Sequence, residues 1–433
     1  MNRRLLALSI GLGALAAGRL TFAQEEVTIG YGGLPYKSGG ESNTGIQLSD
    51  SVLLHAGIGV EAGYDSNVFY SHTDAIGSGI IRVMPYLEIT NATRTGPASK
   101  LLTFDLRAGL QYRRYTSDNP DVQLYSNAYN PNAGVSIGIG GGQLSFGFAD
   151  IFARVEDPPY QSQVGTGVNQ AVITRNNNQA SVELRWSPGG GRLTGLLRYT
   201  NMVDLFDGSY SYANGITNTF TLDASWRWLP KTAIFFDAQQ GYIFYVNQDQ
   251  ALDAAGNPIK SSSFPLRLTV GLRGLLTERT SAILSLGYTN GFYSDGTSTG
   301  GFLGSTFAEL AFTFKPTQLS RVVVGFRHDF INSVISNFAY EETAYASYVQ
   351  QLIGRLALDL SARYAYLNYQ GNFVDPTQDG RRDHTGQVGA SFDYFMRNWA
   401  YIGVGYSLVV NSSNIPINSY VKNQVFARLG VTY

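Results

Sequence analysis

The chain has no cysteine, which excludes disulfides and thiolate metal sites. Beyond the first 23 residues it also lacks long apolar runs. No later stretch approaches the ~20 apolar residues that a helical membrane span needs, and mean hydropathy is only −0.09. Neither sign of charge dominates, with 31 Lys and Arg against 32 Asp and Glu, so no nucleic-acid partner is indicated. Histidine is scarce, and no two of His55, His72, His328 and His384 stand at metal-binding spacing. What is abundant is Gly (49), Tyr (28) and Phe (24). Low hydropathy combined with many glycines and aromatics is the composition of a β-barrel with a wet lumen.

The start of the chain is a targeting segment. Arg3 and Arg4 precede an apolar run from Leu5 to Ala17, and Thr21-Phe22-Ala23 ends in small residues, which predicts a signal peptide over 1–23. No cysteine follows the cut, so the chain is not a lipoprotein. Residues 24–51 are rich in Gly and polar residues and read as a flexible periplasmic tail. Residues 52–433 carry a different pattern.

That pattern is clearest at the end. In Ser419–Tyr433, Val425, Ala427, Leu429, Val431 and Tyr433 fall on one face of a strand, and Gln424, Phe426, Arg428, Gly430 and Thr432 on the other. Gram-negative outer-membrane barrels typically close on such a strand with a final Phe or Tyr. The same alternation runs through Leu102–Arg113 and Phe264–Arg273. Soluble strands are usually ~5–6 residues long, whereas spanning a bilayer takes ~9–11 tilted residues. Segments of this kind start near residues 52, 79, 101, 133, 143, 178, 192, 217, 232, 264, 280, 304, 319, 340, 354, 384, 398 and 421. Their connections alternate in length: tight ones such as 140–142, 187–189, 229–231, 277–279, 315–317 and 396–398 lie between long polar ones such as 154–172, 244–262, 290–303, 367–383 and 410–419. The predicted fold is all-β: a transmembrane antiparallel β-barrel of about 18 strands, with short periplasmic turns and long extracellular loops.

Trp186, Trp226, Trp228 and Phe314 sit on the apolar parity just before short turns, as a periplasmic aromatic girdle should. Tyr288, Tyr366 and Tyr406 stand near the opposite strand ends. The polar parity carries charge. A charge facing lipid at mid-depth costs ~2–4 kcal/mol, so these residues must face the lumen. The candidate lumen-lining set is Arg82, Tyr86, Glu88, Asp105, Arg107, Arg185, Arg227, Arg267, Arg273, Glu309, Arg327, Asp359, Arg363, Asp393 and Arg428. Many of these charges are expected to pair as wall-bracing salt bridges. Tyr86 and Tyr401, also on the inward parity, could stack on sugars.

Catalytic and metal signals are weak. Gly134-Val135-Ser136-Ile137-Gly138 matches a nucleophile-elbow pattern, but that motif works on a strained strand-to-helix turn, and here it lies within an alternating strand. Asp65-Ser66-Asn67 and Asp375–Asp379 offer oxygen ligands, yet such runs usually cap their own backbone as turns. The sequence indicates no enzyme, no cofactor and no metal.

Gly63-Tyr64-Asp65-Ser66-Asn67-Val68-Phe69-Tyr70, after a glycine-rich first strand, resembles the start of a family of outer-membrane β-barrel porins found in exopolysaccharide operons. The resemblance implies an outer-membrane conduit for a secreted polysaccharide, partnered by a periplasmic Wza-like export protein. Two other readings stay open: a general or solute-selective uptake porin, and a structural or adhesive barrel. The expected partners are outer-membrane lipid and a polysaccharide or other polar solute.

Overall fold

The computed structural model describes residues 45–433 apart from 50, 92–100, 124, 158–172, 251, 253–255, 257, 297–304, 353 and 374. The predicted signal peptide and most of the predicted tail lie outside the described residues. Nineteen strands follow one another along the chain. The first six are β1 (Ile46–Ser49), β2 (Val52–Asp65), β3 (Ser78–Thr90), β4 (Leu102–Tyr115), β5 (Asn127–Gly141) and β6 (Leu144–Asp157). Then come β7 (Ile173–Trp186), β8 (Leu193–Phe206), β9 (Gly215–Leu229), β10 (Thr232–Tyr245), β11 (Leu266–Leu275) and β12 (Thr280–Asn290). The last seven are β13 (Thr306–Phe314), β14 (Ser320–Asn332), β15 (Phe338–Leu352), β16 (Leu356–Gln370), β17 (Arg382–Arg397), β18 (Ala400–Ser413) and β19 (Tyr420–Thr432). Each of β2 to β19 pairs antiparallel with its chain neighbours. β19 returns to β2 in the register Arg428↔Glu61 and Thr432↔Gly57, closing a barrel of eighteen strands. Closure removes the unpaired edges that lipid could not satisfy.

The alternation in the sequence sets which way each face points. Leu106, Leu268, Val270 and Leu429 are exposed on the outside, in the belt that meets lipid. Trp186, Trp226, Trp228 and Phe314 are exposed at its lower edge. The upper edge is a ring of tyrosines held by polar neighbours. Tyr112 donates to Asn127 at 2.8 Å, Tyr199 to Asn218 at 2.7 Å and Tyr406 to Asn423 at 2.8 Å. Tyr364 meets His384 Nδ1 at 2.7 Å, and Tyr366 packs on the same imidazole. Each phenol keeps its hydroxyl satisfied where the bilayer gives way to headgroups. An apolar belt between two aromatic rings on a closed barrel is a multi-pass barrel of the outer membrane.

Three expectations need correction. The connections do not alternate strictly in length: 91–101 is a long periplasmic one, while 333–337 and 414–419 are short on the outer side. Asn91 closes the base of the β3–β4 hairpin by bonding Leu102 O and Phe104 N, which holds the register between the two strands. Secondly, β5 and β7 begin at Asn127 and Ile173, five or more residues earlier than expected. The polar residues early in each strand, Asn127 and Asn130 on β5 and Thr174 to Asn178 on β7, break the apolar alternation that marks the rest. Thirdly, the end of the predicted tail is ordered. β1 pairs with the first residues of β2 (Ile46↔Leu54), beneath the point where Tyr433 bonds Ala56.

Candidate functional site: the lumen

Inward-facing glycines let aromatic rings lie flat on the wall. A Cβ on Gly57 would fall 2.2 Å from the Tyr86 ring, and one on Gly430 2.1 Å from Tyr401. Gly325 similarly seats Tyr345, and Gly271 seats Phe235. Tyr86 crosses β2 over Gly57, and its hydroxyl meets Thr432 Oγ1 at 2.7 Å. It is buried, so it braces the seam and is not free to stack on a sugar.

From β9 round through β19 to β3 the wall is braced by charge pairs, several reaching across one or two intervening strands. Arg82 meets Glu61 at 3.4 Å and lies over the Phe426 ring. Arg428 reaches Asp393 across β18, with Nε to Oδ1 at 2.6 Å. Gly403 on β18 makes room, since a Cβ there would fall 2.0 Å from Asp393 Oδ1. Arg273 on β11 meets Asp223 on β9 at 3.0 Å. Arg267 and Arg327 converge on Asp329, from β11 and from within β14. Arg363 pairs with Glu341. Glu309 stands in register with Arg327, and Asp359 is half-buried on β16 in register with Ser391. Arg227 lies apart from these pairs, at the periplasmic rim beside the turn glycine Gly191. Charges removed from bulk water hold their place only when paired and hydrogen-bonded.

The wall from β4 to β7 differs. The inward positions of β5 and β6 are mostly small: Gly134, Ser136 and Gly138, then Ser145, Gly147 and Ala149. They leave a shallow trough, open to the lumen, between charged strands. On one side Arg107 meets Asp105 at 3.0 Å and Glu88 at 3.5 Å. On the other Glu183 accepts from Arg185 at 2.8 Å and from Arg198 at 2.7 Å. Ile151 shares this inward parity and is 55% exposed, an apolar side chain facing the lumen.

Above the braced wall the outer loops are stitched together. Lys260, in the β10–β11 loop, is buried and donates to the carbonyls of Ser333 and Ser336 in the β14–β15 loop. Burial pushes its ammonium down to about 7, against two carbonyl acceptors that favour the charged form. Asp295 accepts from both Ser261 (2.6 Å) and Asn337 (2.9 Å). Phe206, Tyr210, Tyr212, Ile259 and Val334 close an apolar cluster from three loops, and burial there pushes the Tyr210 phenol up to about 12. Farther round, Asn418 donates to Gln378 at 2.7 Å, and His72 contacts Ser419 O at 3.0 Å.

The motif candidates resolve into structure. Ser136 lies within β5, facing the trough opposite Ala149. Asp65 is fully buried, caps Asn67 N at 3.0 Å and pairs with Lys422 at 2.8 Å. Asp375 caps Thr377. Among the described residues no group of His, Asp and Glu is placed to hold a metal. Sequence reasoning missed the glycine seats and the pairs that skip a strand, since neither shows until the register is known.

No family model matches this chain, and no curated protein matches it. Among solved structures, OccAB4 from Acinetobacter baumannii is 11% identical, covering 88% of this chain and 98% of its own, with a TM-score of 0.45. The outer membrane protein opdK from Pseudomonas aeruginosa is 10% identical, with 88% and 99% covered and a TM-score of 0.46. The siderophore receptor PirA from Acinetobacter baumannii is 9% identical, with 88% and 80% covered and a TM-score of 0.44. Likeness this distant carries no argument, and the fold rests on the strand pairing itself.

Proposed function

We propose that this outer-membrane barrel is a passive channel for small polar solutes, a porin. The observation that carries the reading is the difference between the two walls. Eighteen strands enclose more space than side chains fill, and the small residues of β5 and β6 keep one side of that space open. Stitched loops narrow the mouth over the other side, which suits small solutes better than a polymer. The export-conduit reading, with its periplasmic Wza-like partner, rests on the resemblance at residues 63–70. Those residues serve the seam: Asp65 pairs with Lys422, and Val68 and Phe69 pack against Ile80 and Phe426. They say nothing about cargo. The purified barrel in a planar bilayer should give stable conductance steps and admit small sugars into loaded liposomes. A folded barrel that gives no steps, together with loss of a surface polysaccharide in a deletion strain, would favour the conduit instead.

A further inference from the structure

Acidic and basic residues are nearly balanced along the inward face, yet they do not stand at equal depth. Asp and Glu are short and lie against the backbone, whereas Arg is long and carries its charge toward water. In the described inward ion pairs the cation is the more exposed partner, except in Arg198–Glu183, Arg428–Asp393 and the wholly buried Arg381–Asp383. The contrast is greatest on the open wall. The Arg107 side chain is 46% exposed, against 21% for Asp105 and 1% for Glu88. Arg185 is 44% exposed, against 23% for Glu183. A solute in the trough therefore meets guanidinium edges first and carboxylates second. The low-dielectric protein wall around the lumen focuses that field into the open space.

We propose that the channel prefers anions, and that Arg107 and Arg185 are the residues that set the preference. The solute class is one carrying a carboxylate or a phosphate. Either group matches the planar, bidentate donor fork of arginine. Each guanidinium is held by a carboxylate two residues back on its own strand, Arg107 by Asp105 and Arg185 by Glu183. That partner fixes the side chain while leaving one of its edges in the lumen. The inference rests on the channel reading above and adds the charge of the solute.

The test is the reversal potential of the purified barrel in a potassium chloride gradient, at about 0.1 M or below, where the Debye length is about 10 Å and lumen charge is felt. The wild-type barrel is expected to pass chloride more readily than potassium. Replacing both arginines (Arg107→Gln with Arg185→Gln) should lower the chloride-to-potassium permeability ratio roughly two- to threefold while conductance persists. Arg154→Gln removes the same charge from the outer face, where Arg154 meets Asp207, and should leave the ratio unchanged. A cation-selective wild-type barrel would overturn the inference even if the double variant failed to fold. So would a conducting double variant with wild-type selectivity. Both outcomes leave the channel intact, whereas absence of any conductance from folded wild-type protein removes the channel reading and this inference with it.

Discussion

The β4–β7 wall and the wall from β9 round to β3 are written in the same alternating code, yet they do different work. Both turn apolar residues outward and the other parity inward. On β5 and β6 the inward residues are Gly, Ser and Ala, small enough to leave room in the lumen, with Thr103 leaning over Gly138 and Glu183 over Gly147. On the opposite wall they are Arg, Asp and Tyr seated over glycines, and they knit strands that are not neighbours. Side-chain size at one parity thus decides whether a stretch of barrel is strut or passage.

The sharpest break would come from crossing the two faces. Arginine at Leu106 or Leu268 would put charge into lipid at ~2–4 kcal/mol each, and folded barrel should be lost from the membrane fraction. Arginine at Ser136, on the open wall, should assemble normally. Membrane insertion of Leu106→Arg at wild-type levels would contradict the strand phase.

Next is removal of an equivalent cation from each wall. Arg428→Gln strands Asp393 without its partner and should cost up to about 3 kcal/mol, the low end for a broken buried pair. Arg107→Gln loosens a half-exposed pair and should cost under about 1 kcal/mol. Urea unfolding of the two variants in detergent compares them directly, and equal losses would erase the distinction between walls.

A subtler pair uses glycine. Gly403→Ala drives a methyl group into the Arg428–Asp393 bridge and should cost about 1–3 kcal/mol as overpacking. Gly134→Ala has its nearest neighbour at 3.8 Å and should be close to neutral. Destabilisation by both substitutions would mean that the trough is packed.

The smallest effect concerns the loops above the braced wall. The Lys260 ammonium titrates lower in the closed loops, at about 7, than in open chain. Open loops therefore bind more protons between about 7 and the ordinary lysine range, so closure strengthens as pH rises through that window and is weakest below it. Amide exchange at 259–263 and 333–337 should slow, beyond its intrinsic pH trend, between pH 6 and pH 9. Lys260→Met should abolish that difference, and its persistence in the variant would clear Lys260 of the role.

Much of this is legible in the sequence. A bilayer imposes strand length and parity so strongly that residues such as Leu106, Trp226 and Leu429 declare their side. The lumen was legible only as a set of inward residues. That Arg428 would meet Asp393, or Arg267 reach Asp329, depends on registers summed over several strands. Tyr86 shows the limit: its inward parity was plain, but the Gly57 seat that buries it lies on another strand. The loops were least legible, because Lys260 is ordered by carbonyls of the β14–β15 loop, which its own surroundings in sequence do not indicate.

The absence of native cysteine allows a direct test of the open side. Single cysteines at Ser136 on the trough and at Ser391 on the braced wall, each in the folded barrel, would be timed against a charged, membrane-impermeant thiol reagent. Ser136 is exposed and Ser391 only 5% exposed. Fast labelling at 136 with little at 391, accompanied by a fall in conductance, is the predicted result. Equal labelling at both positions, or none at 136, would contradict an open path along β4–β7.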